Sequence, residues 1–127
     1  MRTAAESHPW GTLFTIQGEV DHLEGRRLFE DLYRCLNGPL VIDASGIEYI
    51  DTGGIAAIME ILKHVRNRQG LVVIAGATPH VGEIFEIAGF GRLRPWLVMA
   101  PTVEEAIRLA REWRHAAPSA SQPASGS

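Results

Sequence analysis

The chain has 127 residues, 46% of them hydrophobic and 21% charged, which fits one globular domain with its own core. A formal net charge of −3 excludes the basic footprint of a nucleic-acid binder. The single cysteine, Cys35, suits a reducing compartment, and neither a membrane-length apolar run nor a signal-peptide layout is present, so a cytoplasmic chain without membrane insertion is expected.

Residues 1–9 show no apolar period and are expected to be poorly ordered. Residues 116–127 contain only Ala, Pro, Ser, Gln and Gly, a composition that cannot offset its ordering entropy, so a disordered tail is expected there. The domain is placed at 10–115, with no internal repeat.

Within it, Leu13, Phe14 and Ile16 predict a short strand leading to Gly18. Asp21, with Glu24 three residues on, predicts a capped helix start. Leu28, Leu32 and Cys35 give that helix an apolar face, and Asn37-Gly38-Pro39 ends it. Leu40-Val41-Ile42 has the pattern of a strand covered on both faces. Ala44-Ser45-Gly46 is turn-like, after which Ile47, Tyr49 and Ile50 lead to Asp51.

Ile55, Ile58, Met59, Leu62 and Val65 predict a second helix, with Lys63, Arg66 and Arg68 on its other side and Gln69-Gly70 closing it. Leu71 to Ala75 is the clearest buried strand. Thr78-Pro79 caps and opens a third helix with a short stripe of Ile84, Phe85 and Ala88, stopped by Gly89. Leu97-Val98-Met99 is assigned to an edge strand. Thr102 and Glu105 form a second capping-box signal before a last helix, whose face is Val103, Ala106, Ile107, Ala110 and Trp113.

Strands alternating with helices imply βαβ units. The expected fold is α/β: a mixed, mainly parallel sheet of four to five strands with helices largely on one face. Function in such sheets gathers where strand ends meet helix starts, which singles out the segments after Ile42 and Ile50.

At the second of these stands Asp51-Thr52-Gly53-Gly54. Asp51 or Thr52 can cap the free N–H groups of the first helical turn, and two glycines put almost no side chain over it. Backbone donors at the positive end of a helix dipole can hold an anion or let another backbone approach. The plainer reading is a capped helix and a tight turn.

The segment from Ile42 to Phe90 resembles the STAS domain of bacterial anti-sigma-factor antagonists. The resemblance rests on Asp43, Ser45-Gly46, Ile50, Asp51-Thr52-Gly53-Gly54, Gly70, Pro79 and Ala88-Gly89, in that order, with Gly18-Glu19-Val20-Asp21 upstream. It extends over residues 12–113. It implies a STAS-type fold and a non-enzymatic regulatory module that binds an anti-sigma factor or related regulatory kinase. Partner-switching control of transcription, as in stress responses, would follow. Asp51 and Thr52 would order the loop, Gly53 and Gly54 would admit the partner, and Ile55 and Ala56 would extend the contact.

One departure matters. In phosphorylation-controlled relatives the motif is Asp-Ser-Ser-Gly, and its second hydroxyl residue accepts phosphate. Gly53 holds that place here and has no hydroxyl, so the usual phosphoswitch is not expected. Thr52 is the one hydroxyl in the motif and the candidate alternative acceptor. Asp-Thr-Gly-Gly is also similar to the opening of this helix in the small cytoplasmic STAS subunit of the bacterial intermembrane phospholipid-transport (Mla) complex. That likeness implies a different partner, the ATPase of an ABC transporter. A monomer or weak dimer is expected in either case.

Other chemistry fits less well. An aspartic protease places its Asp-Thr-Gly on a loop of an all-β fold, whereas here the motif opens an Ile/Met/Leu helix. Asp43 and Asp51 lack the phosphate loop that Mg²⁺ chemistry would need. His8, His22, His64, His80 and His115 have no metal-ligand spacing, so no metal or cofactor is expected. Cys35 is read as a small core residue, the basic stretch Lys63 to Arg68 as the solvated end of a helix, and Trp96 and Trp113 as packing residues. Trp10, so near the chain start, would belong to an interface if exposed.

Overall fold

The computed structural model describes residues 1–120, with side chains through Trp113. Five strands lie side by side in chain order: β1 (Arg2–His8), β2 (Gly11–Val20), β3 (Leu40–Ile50), β4 (Val72–Ala75) and β5 (Leu97–Ala100). β1 and β2 pair antiparallel, and every later pair is parallel. The crossovers are α1 (Gly25–Arg34), α2 (Thr52–Asn67) and α3 (Pro79–Ile87), and α4 (Val103–Ala120) follows β5. A mixed, mainly parallel sheet is therefore what forms.

Strand alternation divides the apolar side chains between two faces. Phe14, Ile16, Leu40, Ile42, Val72 and Ile74 point to one face, where Leu28 and Leu32 of α1, Ile58 and Ile61 of α2, and Phe85 of α3 cover them. Val41, Val73 and Ala75 point to the other, covered by Ala106 and Ala110 of α4. These alanines are one helical turn apart and let α4 approach the sheet closely. Three helices thus share one face and a single helix takes the other. Trp10 belongs to the second core and is 5% exposed, with His8 stacked on it at 5.1 Å between ring centroids.

Four local expectations are corrected. Residues 1–9 are not without structure: they form β1, paired along its length with β2. No apolar period marks this strand because most of its side chains are exposed. Its specification comes from the free edge of β2 and from the Thr3 hydroxyl, which donates to Asp31 at 3.0 Å. The first helix begins at Gly25 rather than Asp21. Asp21 instead accepts from the Leu23 N–H at 3.0 Å in a turn, and Glu24 makes no side-chain cap.

Ala44-Ser45-Gly46 does not end a strand. β3 runs through it to Ile50, and pairing with β2 shifts register between Thr15 and Gln17. Asp43 accepts from the backbone N–H of Ser45 at 3.1 Å and from its hydroxyl at 2.7 Å, so turn chemistry here builds a bulge. At α4, Thr102 caps the Glu105 N–H at 3.1 Å, but the Glu105 carboxylate turns to Arg108 and leaves the box half made. The expected tail at 116–127 overlaps the range of α4, and 121–127 lie outside the described residues.

Removing residues 1–8 would bare the long edge of β2. The shortened protein is expected to melt at a lower temperature and to self-associate in sedimentation velocity. A monodisperse species with unchanged melting would show that β1 adds nothing to the sheet.

Candidate functional site

Asp51 sits where β3 gives way to α2, in extended conformation (φ −117°, ψ −167°). Its N–H donates to the Val20 carbonyl at 3.1 Å, which carries β2–β3 pairing to the last residue of both strands. Its carboxylate accepts from the Gly53 N–H at 2.9 Å, and its carbonyl accepts from the Ile55 N–H at 3.0 Å. The residue is the N-cap of α2. The other carboxylate oxygen lies 3.7 Å from Nδ1 of the exposed His22, in the loop between β2 and α1.

That loop changes the meaning of the glycines. A Cβ built on Gly53 would stand 2.6 Å from the Cα of His22, and one on Gly25 would stand 2.6 Å from the carbonyl oxygen of Gly53. The starts of α1 and α2 therefore meet backbone to backbone. A Cβ on Gly54 would stand 2.6 Å from Cγ1 of Ile50 and 2.7 Å from Cγ1 of Val20. Gly54 is buried. The missing side chains of Gly53 and Gly54 thus serve contacts within the chain. The chain itself fills that space, because two consecutive strand ends each launch a helix at the same place.

What the motif leaves outward is narrower. Thr52 and Ala56 are exposed, and Asp51, Gly53 and Ile55 are half-buried. His22 and Gly25 belong to the same constellation and escaped the residue reading. The signal was the pairing of Gly18-Glu19-Val20-Asp21 with the second motif, each a strand end running into a helix. Leu23, beside His22, is 78% exposed and forms an apolar projection from the loop.

Asp43 is committed to Ser45 in the bulge, away from Asp51's hydrogen bonds. Among the described residues no three His, Cys, Asp or Glu side chains group as a metal site requires, and no helix is long and apolar enough to cross a membrane. Cys35 is half-buried, and its thiol donates to the Leu32 carbonyl at 3.3 Å. Burial pushes the thiol's pKa above its ordinary value, which keeps it protonated.

The family model of the STAS domain matches residues 2–106. The chain belongs to the STAS domain family. A Bordetella bronchiseptica protein named as an anti-sigma factor antagonist, BtrV, is 36% identical over 83 residues, which is 63% of this chain and 72% of that one. An anti-sigma factor antagonist from Mycobacterium paratuberculosis superposes with TM-score 0.76 at 19% identity, covering 87% of this chain and 93% of that one. A STAS domain protein from Planctomyces limnophilus gives 0.73 at 15% identity, covering 85% and 97%. At these identities the structural likeness is one of fold. With the sequence relative it makes this chain an anti-sigma-factor-antagonist-like STAS domain.

Asp51→Ala is expected to cost about 1 kcal/mol in urea unfolding and Asp51→Asn much less, since Asn can still cap. Gly53→Ala is the sharper test. In an open helix that change stabilises, whereas here it is expected to destabilise by roughly 1–3 kcal/mol because the His22 backbone must move. A gain in stability would show that the loop does not rest on Gly53. Iodoacetamide should modify Cys35 several-fold more slowly than free cysteine at pH 8, the deficit shrinking as pH rises.

Proposed function

We propose that this STAS domain acts by binding, docking a kinase-type anti-sigma factor through the first turn of α2, and that it does so without the serine phosphoswitch. Asp51 fixes the turn, while Thr52, Ile55 and Ala56 supply the surface. Kinship with BtrV supports the class of partner. The observation that carries the second half is Gly53. It lacks a hydroxyl, and the His22 backbone occupies the space a side chain would need. A constitutive binder would answer to the amount of partner and not to its own phosphorylation.

Ala56→Arg tests the surface better than any change at Gly53, because Ala56 is exposed and its Cβ already stands free of the core. Calorimetry against the kinase-type anti-sigma factors of the source genome is expected to show binding at least tenfold weaker, about 1.4 kcal/mol, at unchanged melting temperature. Unchanged affinity would place the interface elsewhere. Incubation of the parent protein with the same kinases and ATP is expected to leave its intact mass unaltered. Stoichiometric phosphate on Thr52 would show instead that the switch has moved by one residue.

A further inference from the structure

Half of the 12 lysines and arginines collect at the end of the sheet opposite Asp51. Leu40, Val72 and Leu97 stand side by side at the starts of β3, β4 and β5. The segments that precede them therefore meet at one edge. Those segments carry Arg34, Arg66, Arg68, Arg92 and Arg94, with Lys63 one turn back along α2. No Asp or Glu occurs at 32–42, 61–82 or 87–103. Arg34 pairs with Asp31 at 3.6 Å and Lys63 with Glu60 at 3.9 Å. Arg66, Arg68, Arg92 and Arg94 have no carboxylate partner among the described residues.

Aromatic rings are set among these cations. Arg66 lies over Trp96 at 5.4 Å and Arg68 over Tyr33 at 6.0 Å. Trp96 meets the edge of Trp113 at 5.7 Å, and the Trp113 indole donates to the Gln69 carbonyl at 3.1 Å. Beside them is a trough of about 260 Å³ between β5 and α4, floored by Leu71, Val98, Leu109 and Trp113, with Arg94 on its rim. Glu112 also lines it, but its carboxylate is held by Arg108 at 3.0 Å. The dipole of α2 accounts for Arg66 and Arg68 at its C-terminus. It does not account for Arg94, which precedes a strand, nor for an apolar trough next to that unpaired cation.

We propose that this pole is a second docking surface, which takes an acidic, extended peptide segment of a partner protein with one large apolar side chain seated in the trough beside Arg94. The trough is smaller than the ~300 Å³ at which small-molecule pockets begin, and suits one anchoring side chain. A single anchor with charge around it is the pattern of a peptide contact, whereas a membrane or a nucleic acid presents a broad array of charge and no knob. The edge of β5 next to the trough leaves backbone groups free for an extended chain. This surface is independent of the Asp51 surface and faces the opposite way, so both can be occupied at once.

The test is an NMR titration of the full chain, at physiological salt, with the synthetic peptide Glu-Glu-Asp-Trp-Glu-Glu. Saturable shifts are expected at the Trp96 and Trp113 indoles and at residues 92–98, with none at 51–56. Replacing the peptide's Trp by Ala, or its acids by amides, should weaken binding at least tenfold, and so should the protein variant Arg66→Glu/Arg94→Glu. Arg94→Gln alone, which introduces no repulsion, should weaken it by a smaller factor at unchanged melting temperature. Absence of saturable shifts, indifference to the peptide's Trp, or full binding by the double variant would each overturn the proposal. Two other outcomes would also overturn it. Binding to phosphatidylglycerol vesicles without peptide binding would make the pole a membrane surface, and salt-sensitive dimerisation that buries Trp96 would make it a self-interface.

Discussion

The contact on which the rest of the structure depends is the approach of Gly25 to the carbonyl of Gly53. Parallel strands β2 and β3 end side by side, joined at their last step by the Asp51 N–H and the Val20 carbonyl. Each strand end must start a helix at once, and both helices must return over the same face. Two helix starts can share that space only where neither carries a side chain toward the other. Gly25 and Gly53 supply the clearance, and Gly54 clears the core beneath. Once the starts are locked, α1 and α2 run down the sheet together, with Phe29 of α1 tilted against His64 of α2 at 5.8 Å.

The same lock bears on function. On the proposed docking at α2, a loop resting on a helix start would give up little conformational freedom, because it has already been ordered by the fold. Asp51 contributes by holding Gly53 and lying near His22, which ties the turn to the loop from the side-chain direction as well. A Gly-Gly pair beside an acidic cap can be mistaken for an open cradle. Here the space over the glycines is filled from within, and the exposed residues of the turn are Thr52 and Ala56.

Elements with a strong apolar period were legible in the residues: the Leu71–Ala75 run, the α2 stripe, and the Thr78-Pro79 entry to α3 all take the expected form. The misreadings share a cause. β1 has no buried face, so the period that reveals a strand is missing, and only pairing with β2 defines it. Asp21-Glu24 and Ala44-Ser45-Gly46 have the residues of a cap and a turn, and local chemistry alone does not say whether a side-chain oxygen will serve a helix, a loop or a bulge. The glycines of the motif were found by their pattern, yet their use was not. Which atoms approach a missing Cβ depends on His22 and Val20, residues some 30 positions away along the chain. The fold lay in the periodicity; the detail of the site lay in contacts that periodicity does not encode.

Neighbours in the sheet are also neighbours along the chain at every step from β1 to β5. No strand has to wait for a distant partner, so each connection closed during assembly carries little more than one helix and its entropic cost is modest. A chain emerging from the ribosome can lay down the β1–β2 hairpin first and then add each strand to an edge already present. The exception is the second face. Val41, Leu71 and Val73 share that face with Trp10 and gain the rest of their cover only when Ala106 and Ala110 of α4 arrive. A single helix, α4, thus decides when the second face of the nascent domain ceases to be sticky.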